Sequence, residues 1–118
     1  MTQKIDMNQK EVVAYKFDTE LSKDDVKDVH NELRKAIGEN KRVRFFADVS
    51  DLEDVTPGAI FEDLKLTPEY TTEIERFAIV GDDNWHEWLT KGADKVTKGE
   101  AKFFSTNELN QAKHWIQQ

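Results

Sequence analysis

The sequence RFAIVGDDNWHEWL, which spans Arg76 to Leu89, decides the fold of this chain. Its residues 77–80 form an unbroken apolar run, which is typical of a strand covered on both faces. The polar sequence GDDN interrupts this run, and Trp85, Trp88 and Leu89 then recur at helical spacing. A buried strand that leads through a short loop into a helix is the repeating unit of an α/β sheet, so this stretch predicts that class of fold.

Two tryptophans in this stretch are the first candidates for a binding role. Trp85 and Trp88 follow the carboxyl end of the predicted strand, where open α/β sheets usually bind their ligands. Tryptophans in a small domain also serve as core residues, because each one buries a large apolar area. The sequence leaves both interpretations of the pair open.

The other predicted elements extend this pattern in both directions along the chain. We expect Asn84 to cap the helix of the opening stretch, and an earlier helix that begins after Ser22 to end at Gly38. Phe45 and Phe46 are adjacent in a strand, so they point to opposite faces and both faces need cover. The predicted order is strand, strand, helix, then strand and helix three times, which gives a mixed sheet with helices packed on it. The elements expected outside the opening stretch are strands at 4–7, 11–17, 42–49 and 101–104, and helices at 23–37, 57–66 and 105–116.

Length, charge and composition exclude several classes of protein. The 118 residues fit one domain, 1–118, and three tryptophans, two tyrosines and seven phenylalanines supply apolar surface for one core. The net charge of −7 argues against nucleic-acid binding and against recruitment to anionic lipid by global charge. The absence of cysteine excludes disulfides and thiolate sites. Because no apolar run approaches ~18 residues and the first residues lack a signal sequence, we expect a soluble, cytoplasmic protein.

Metal binding and catalysis find little support in the sequence. The acidic loop at 48–54 follows a strand, but turn chemistry explains its residues and no phosphate-binding loop accompanies them. His86 lies three residues after Asp83, with no third ligand at local spacing. Since His30, His86 and His114 fall on three different predicted helices, no nucleophile and base can be paired. We therefore expect no catalytic residue, no metal and no cofactor.

Five short motifs along the chain occur together in one known family. They are LSKDD at 21–25, RFAIVGD at 76–82, the pair Trp85 and Trp88, KFF at 102–104, and Ala112 with Trp115. With these motifs nearly the whole chain resembles the SpoIIAA-like proteins, small bacterial relatives of the STAS domain. The resemblance implies an α/β fold of the STAS-like type, a mixed five-stranded sheet with about four helices packed on one face.

The same resemblance implies a non-enzymatic binding or regulatory module. Some members also resemble CRAL-TRIO lipid carriers, which implies an apolar small molecule or lipid in a cleft between the second and third helices. A stripe of lysines at 91, 95 and 98 is either a solvated face or a contact with a membrane, so peripheral membrane association stays open. A leftover apolar helix face would equally suit a homodimer. The residues that this interpretation places along the cleft are Ile60, Phe61, Leu64, Trp85, Trp88 and Leu89.

A protein partner is the alternative. STAS proteins that antagonise anti-sigma factors carry a phosphorylated serine in an Asp-Ser-Ser-Gly sequence, and the matching sequence here is VTPG at 55–58. Pro57 stands where the acceptor would be, and Thr56 is expected to use its hydroxyl as a helix cap. The alternative is therefore a protein-interaction module of this type without the phosphorylatable serine, in which an acidic surface meets a basic partner.

Overall fold

The computed structural model describes residues 3–5, 7, 11–17, 23–52, 73–92 and 99–118. Within this part of the chain there are five strands and three α-helices, and a single 3-10 turn, Thr106–Glu108, precedes the last helix. The strands are β1 (Gln3–Lys4), β2 (Val12–Lys16), β3 (Val43–Asp48), β4 (Ile74–Gly81) and β5 (Glu100–Ser105). The helices are α1 (Lys23–Asn40), α2 (Asp83–Gly92) and α3 (Leu109–Gln117).

The five strands form one mixed sheet in the order β1-β2-β3-β4-β5. β1 pairs with β2 in the antiparallel direction, and every other neighbouring pair is parallel. The register is continuous across the centre, where Phe45, Phe77 and Ala101 lie side by side on β3, β4 and β5. The mixed five-stranded sheet that the sequence predicted is confirmed.

Helices cover both faces of this sheet. Because side chains alternate along a strand, Phe77 and Ile79 of β4 face one apolar cluster while Ala78 and Val80 face another. The first cluster includes residues of α1 and α2, and the second includes Ala112 and Ile116 of α3. The placement of α3 thus differs from the one-sided arrangement that the family resemblance implied. Its physical reason is the double-sided apolar pattern of β3 and β4, which requires cover on each face.

The first helix ends later than predicted. α1 continues through Gly38 to Asn40, and Lys41 then adopts a left-handed conformation with φ of 64°. The Lys41 backbone N–H donates to the carbonyl of Ile37 at 2.7 Å, which closes the last turn. The prediction that Gly38 ends this helix is wrong, since the residue that takes up the left-handed conformation is a lysine.

Helix α2 begins earlier than predicted, because its cap is Asp82 and not Asn84. The Asn84 backbone N–H donates to the Asp82 carboxylate at 3.0 Å. The N–H groups of Trp85 and His86 donate to the Asp82 carbonyl at 3.1 and 3.2 Å. A carboxylate at this position also interacts favourably with the positive end of the helix dipole.

The helix predicted at 57–66 lies outside the described residues, as do Thr56 and Pro57. No described helix is both long enough and apolar enough to cross a membrane.

Candidate functional site

The aromatic pair on α2 occupies two different environments. Trp85 and Leu89 are each only 4% exposed and belong to the apolar cluster that α2 shares with α1 and the sheet. Trp88 is half-buried and packs against the same cluster from its border. The two indole rings meet edge to face, with centroids 6.2 Å apart and planes at 77°. Trp85 is thus a core residue, whereas part of Trp88 remains on the surface.

The sheet holds Trp85 through a close approach to Gly81. A Cβ atom placed on Gly81 would lie 3.0 Å from Cδ1 of Trp85 and 3.0 Å from Cγ2 of Val49. The Val49 backbone N–H donates to the carbonyl of Val80 at 2.9 Å and fixes this side of the contact. The glycine at the end of β4 therefore makes room for the indole, and this anchors the first turn of α2 on the sheet.

The outer surface of α2 is polar and internally paired. Lys91 forms an ion pair with Glu87 at 2.9 Å, one turn apart. The hydrogen bond and the charge of Lys91 lower the pKa of the Glu87 carboxyl. The Thr90 hydroxyl donates to the His86 carbonyl at 2.9 Å. Trp88 lies between this polar surface and the buried Trp85, and part of its indole ring is accessible there.

A groove of about 310 Å³ separates α2 from β5. Leu89 contributes to its lining, together with Ala101 and Phe103 of the strand. The rings of His86 and Phe103 stack almost in parallel beside it, with centroids 4.5 Å apart and planes 5° apart. The sequence did not predict this groove. Alternation along β5 places Ala101 and Phe103 on the same face, but only the docked position of α2 brings His86 to them.

The acidic loop after β3 is occupied by contacts within the protein. Asp48 is buried, and its Oδ1 accepts hydrogen bonds from the Ser50 backbone N–H at 3.1 Å and hydroxyl at 2.6 Å. Asp51 forms an ion pair with Lys16 at 3.1 Å. Glu53 and Asp54 lie outside the described residues. In the part of the chain that the structure describes, no group of three or more histidine, aspartate or glutamate side chains is placed to hold a metal ion.

The histidines are distributed over the three described helices. His30 lies on α1, His86 on α2 and His114 on α3, and α3 packs on the opposite face of the sheet from the other two helices. The fold therefore brings His86 to Phe103 and leaves His114 on the other side of the sheet.

Three of the six predicted site residues can be placed. Trp85, Trp88 and Leu89 come together on α2, as the helical spacing required. Ile60, Phe61 and Leu64 lie outside the described residues. The predicted cleft between the helix expected at 57–66 and the helix described as α2 therefore stays a prediction.

The chain is similar to known proteins in sequence and in fold. The sequence model of the SpoIIAA-like family matches residues 12–117. The fold is similar to the crystal structure of an uncharacterised DUF3478-family protein with a SpoIIAA-like fold from Shewanella loihica PV-4. That likeness has 26% sequence identity and a TM-score of 0.69, and it covers 98% of this chain and 92% of the other. Among curated proteins, no match was found.

Proposed function

This chain belongs to the SpoIIAA-like family, and we propose that it is a non-enzymatic binding module that holds an apolar, lipid-like ligand against α2. The domain is of the STAS type, and families of this type are generally non-enzymatic. The half-buried Trp88 carries the proposal, because it leaves aromatic surface accessible beside a buried apolar cluster.

The arrangement around Trp88 suits an uncharged, apolar ligand. Trp85 meets the Trp88 ring in an edge-to-face contact, so the half-buried indole of Trp88 packs on a buried core residue. The nearest cation on the same helix, Lys91, is paired with Glu87 and does not call for an anionic ligand. A ligand that covers the exposed part of Trp88 would gain roughly 25 cal/mol for each Å² of apolar surface that it removes from water.

Native mass spectrometry of freshly purified protein, followed by organic extraction, tests the proposal. We expect a reproducible adduct in the lipid mass range, and we expect its loss in Trp88→Ala. The matched control is Trp115→Ala, since Trp115 is also half-buried but lies on α3, on the opposite face of the sheet. Circular dichroism of both variants must show the wild-type spectrum, so that loss of the adduct reports on the site.

The possible outcomes separate the proposal from its competitors. An adduct that survives Trp88→Ala, or that disappears only in Trp115→Ala, would show that α2 is not the site. A clean mass of the unliganded monomer would overturn the ligand proposal. A clean mass at twice the monomer would indicate that the apolar surface is a dimer contact.

A protein partner is the second candidate, and the net charge of −7 favours it. Asp51 is exposed and forms an ion pair at 3.1 Å with a surface lysine, Lys16, so a basic partner would compete for it. Reversal of charge at Asp51 should then abolish capture of the partner, and capture should weaken steeply with salt. The salt-independent capture of a partner would argue against this second role.

A further inference from the structure

A second groove lies on the opposite face of the sheet, between β5 and α3. Its volume is about 400 Å³, which is within the range of small-molecule sites. Its floor is aromatic, formed by Phe104 and Trp115, whose ring centroids are 6.0 Å apart with planes at 53°. Lys102 and His114 stand at its rim, and Gln111 contributes a side-chain amide.

Lys102 places a positive charge directly beside the aromatic floor. Its Nζ lies 5.2 Å from the centroid of the Phe104 ring. Among the described residues it forms no ion pair within 4 Å, in contrast to Lys4, Lys16 and Lys91, which each meet a carboxylate. The ammonium is therefore held over the ring by a cation–π contact and retains donors for a ligand.

The carboxylate of Glu108, whose pKa is affected by the charge of Lys102, is engaged elsewhere. Glu108 accepts hydrogen bonds at 2.9 Å from both the backbone N–H and the hydroxyl of Ser105. These hydrogen bonds, with the charge of Lys102 as a smaller cause, lower the pKa of the Glu108 carboxyl. Glu108 thus stabilises the start of the 3-10 turn and does not neutralise Lys102 by direct contact.

The floor of the groove is also held in place. Arg76 of β4 donates to the Trp115 carbonyl at 3.0 Å, and its guanidinium lies 5.1 Å from the centroid of the Trp115 ring. Phe104 is buried, with Ala112 and Ile116 of α3 in the same apolar cluster. A ligand would therefore meet a preformed aromatic surface and would lose little free energy to ordering it.

We propose that this groove binds a small aromatic carboxylate, with its ring on the half-buried Trp115 and its carboxylate at Lys102. The aromatic floor selects a planar apolar group, and the Lys102 ammonium at the rim, which meets no described carboxylate within 4 Å, selects a negative charge within a protein that is acidic overall. The site is distinct from the one proposed on α2, because the aromatic residues of the two sites lie on opposite faces of the sheet; Lys102 borders the groove beside α2 as well.

Titration with 2-naphthoate, followed by the indole N–H resonances, tests the site. The chain has three tryptophans, two on α2 and one on α3, so each resonance reports on one face of the sheet. We expect a saturable shift of the Trp115 resonance and no shift of Trp85 or Trp88. The uncharged isostere 2-naphthamide should bind about threefold to fivefold more weakly, which is the upper range for one exposed charge pair.

Two variants remove one positive charge each from the same face. Lys102→Met should weaken 2-naphthoate binding about threefold to fivefold while keeping the apolar stem of the side chain. Lys113→Met is the matched control, because Lys113 is on α3 but does not line the groove, and it should leave the affinity unchanged.

Each contrary result overturns the proposal. The absence of a saturable Trp115 shift would show that the groove does not bind aromatic carboxylates. Equal effects of the two variants, or equal binding of the amide, would show that Lys102 does not select the charge. Shifts confined to Trp85 and Trp88 would assign the naphthoate to α2 and show that the groove beside α3 is not its site.

Discussion

Arg44 and Arg76 lie directly opposite each other on β3 and β4, and both guanidinium groups donate to the carbonyl end of α3. The NH1 of Arg44 is 3.1 Å from the Ile116 carbonyl oxygen, and that of Arg76 is 3.0 Å from the Trp115 carbonyl oxygen. Like charges placed directly opposite each other in a sheet repel. Here the negative end of the helix dipole compensates them, and Glu75 accepts a further hydrogen bond from Arg44 at 3.1 Å. The two arginines thus fix the last helix on the sheet.

Removal of the Arg44 charge should destabilise the protein. Arg44→Met removes a donor to the Ile116 carbonyl of α3 and the closer of the two arginine donors to both the Gln118 carbonyl and Glu75, so we expect the free energy of unfolding to fall by about 2–3 kcal/mol in urea titrations. Arg42→Met is the control, since Arg42 meets the same Glu75 but its side chain is 64% exposed against 13% for Arg44. The control should change stability by less than about 1 kcal/mol. Equal losses in the two variants would mean that the contacts with α3 contribute nothing.

The end of α1 shows where sequence patterns reach their limit. The apolar period predicted the body of the helix correctly, and a glycine at the end of such a period usually stops it. In the structure Gly38 is helical and Lys41 has the positive φ. The sequence does not indicate that the helix ends at Asn40. The position of its last turn depends on the path that connects α1 to β3 in the folded protein.

Two substitutions at the end of α1, Lys41→Gly and Gly38→Ala, should each stabilise the protein. Lys41→Gly relieves a left-handed conformation that a lysine adopts at a cost of about 1 kcal/mol. Gly38→Ala should add about 0.5–1 kcal/mol, because a Cβ there meets nothing within 4 Å and alanine favours the helix. Thermal unfolding of each variant checks both values. As a control, Lys35→Gly within α1 should destabilise by about 1 kcal/mol; a loss of stability in Lys41→Gly would contradict the assignment of the cap.

The groups of residues that the sequence could place are those that share one element. Trp85, Trp88 and Leu89 were placed on one helix by spacing alone, and Ser105 and Glu108, three residues apart, form a capping box in the structure. The two grooves beside β5 could not be predicted. One lies between β5 and the preceding helix α2, and the other lies between β5 and the following helix α3. The shape of each groove depends on how its helix docks on the sheet.

The hydroxyl of Tyr15 should ionise only at strongly alkaline pH. Burial, together with the negative charges of Glu32 and Asp28, raises the pKa of Tyr15 to about 12. The folded state then keeps a proton that the unfolded state releases near pH 10, so this contribution to stability is complete below pH 10 and is lost as the pH rises towards 12.

Ultraviolet titration of tyrosinate measures this directly. The chain has two tyrosines, so Tyr70→Phe leaves Tyr15 as the only source of the signal. We expect its ionisation in the folded variant to be delayed relative to the same variant in denaturant. Coincident titrations in the two conditions would show that Tyr15 is not buried in the folded protein.

The two tryptophans of α2 should differ in their effect on stability. Trp85 is 4% exposed and packs on Gly81, so Trp85→Ala leaves a cavity in the main apolar cluster and should cost about 3–5 kcal/mol. Trp88 is half-buried, and Trp88→Ala should cost about 1–2 kcal/mol, since it removes less buried surface. Urea unfolding with matched m-values checks both numbers. A cost for Trp88→Ala as large as that for Trp85→Ala would make Trp88 a core residue and remove the accessible aromatic surface on which the proposed ligand site depends.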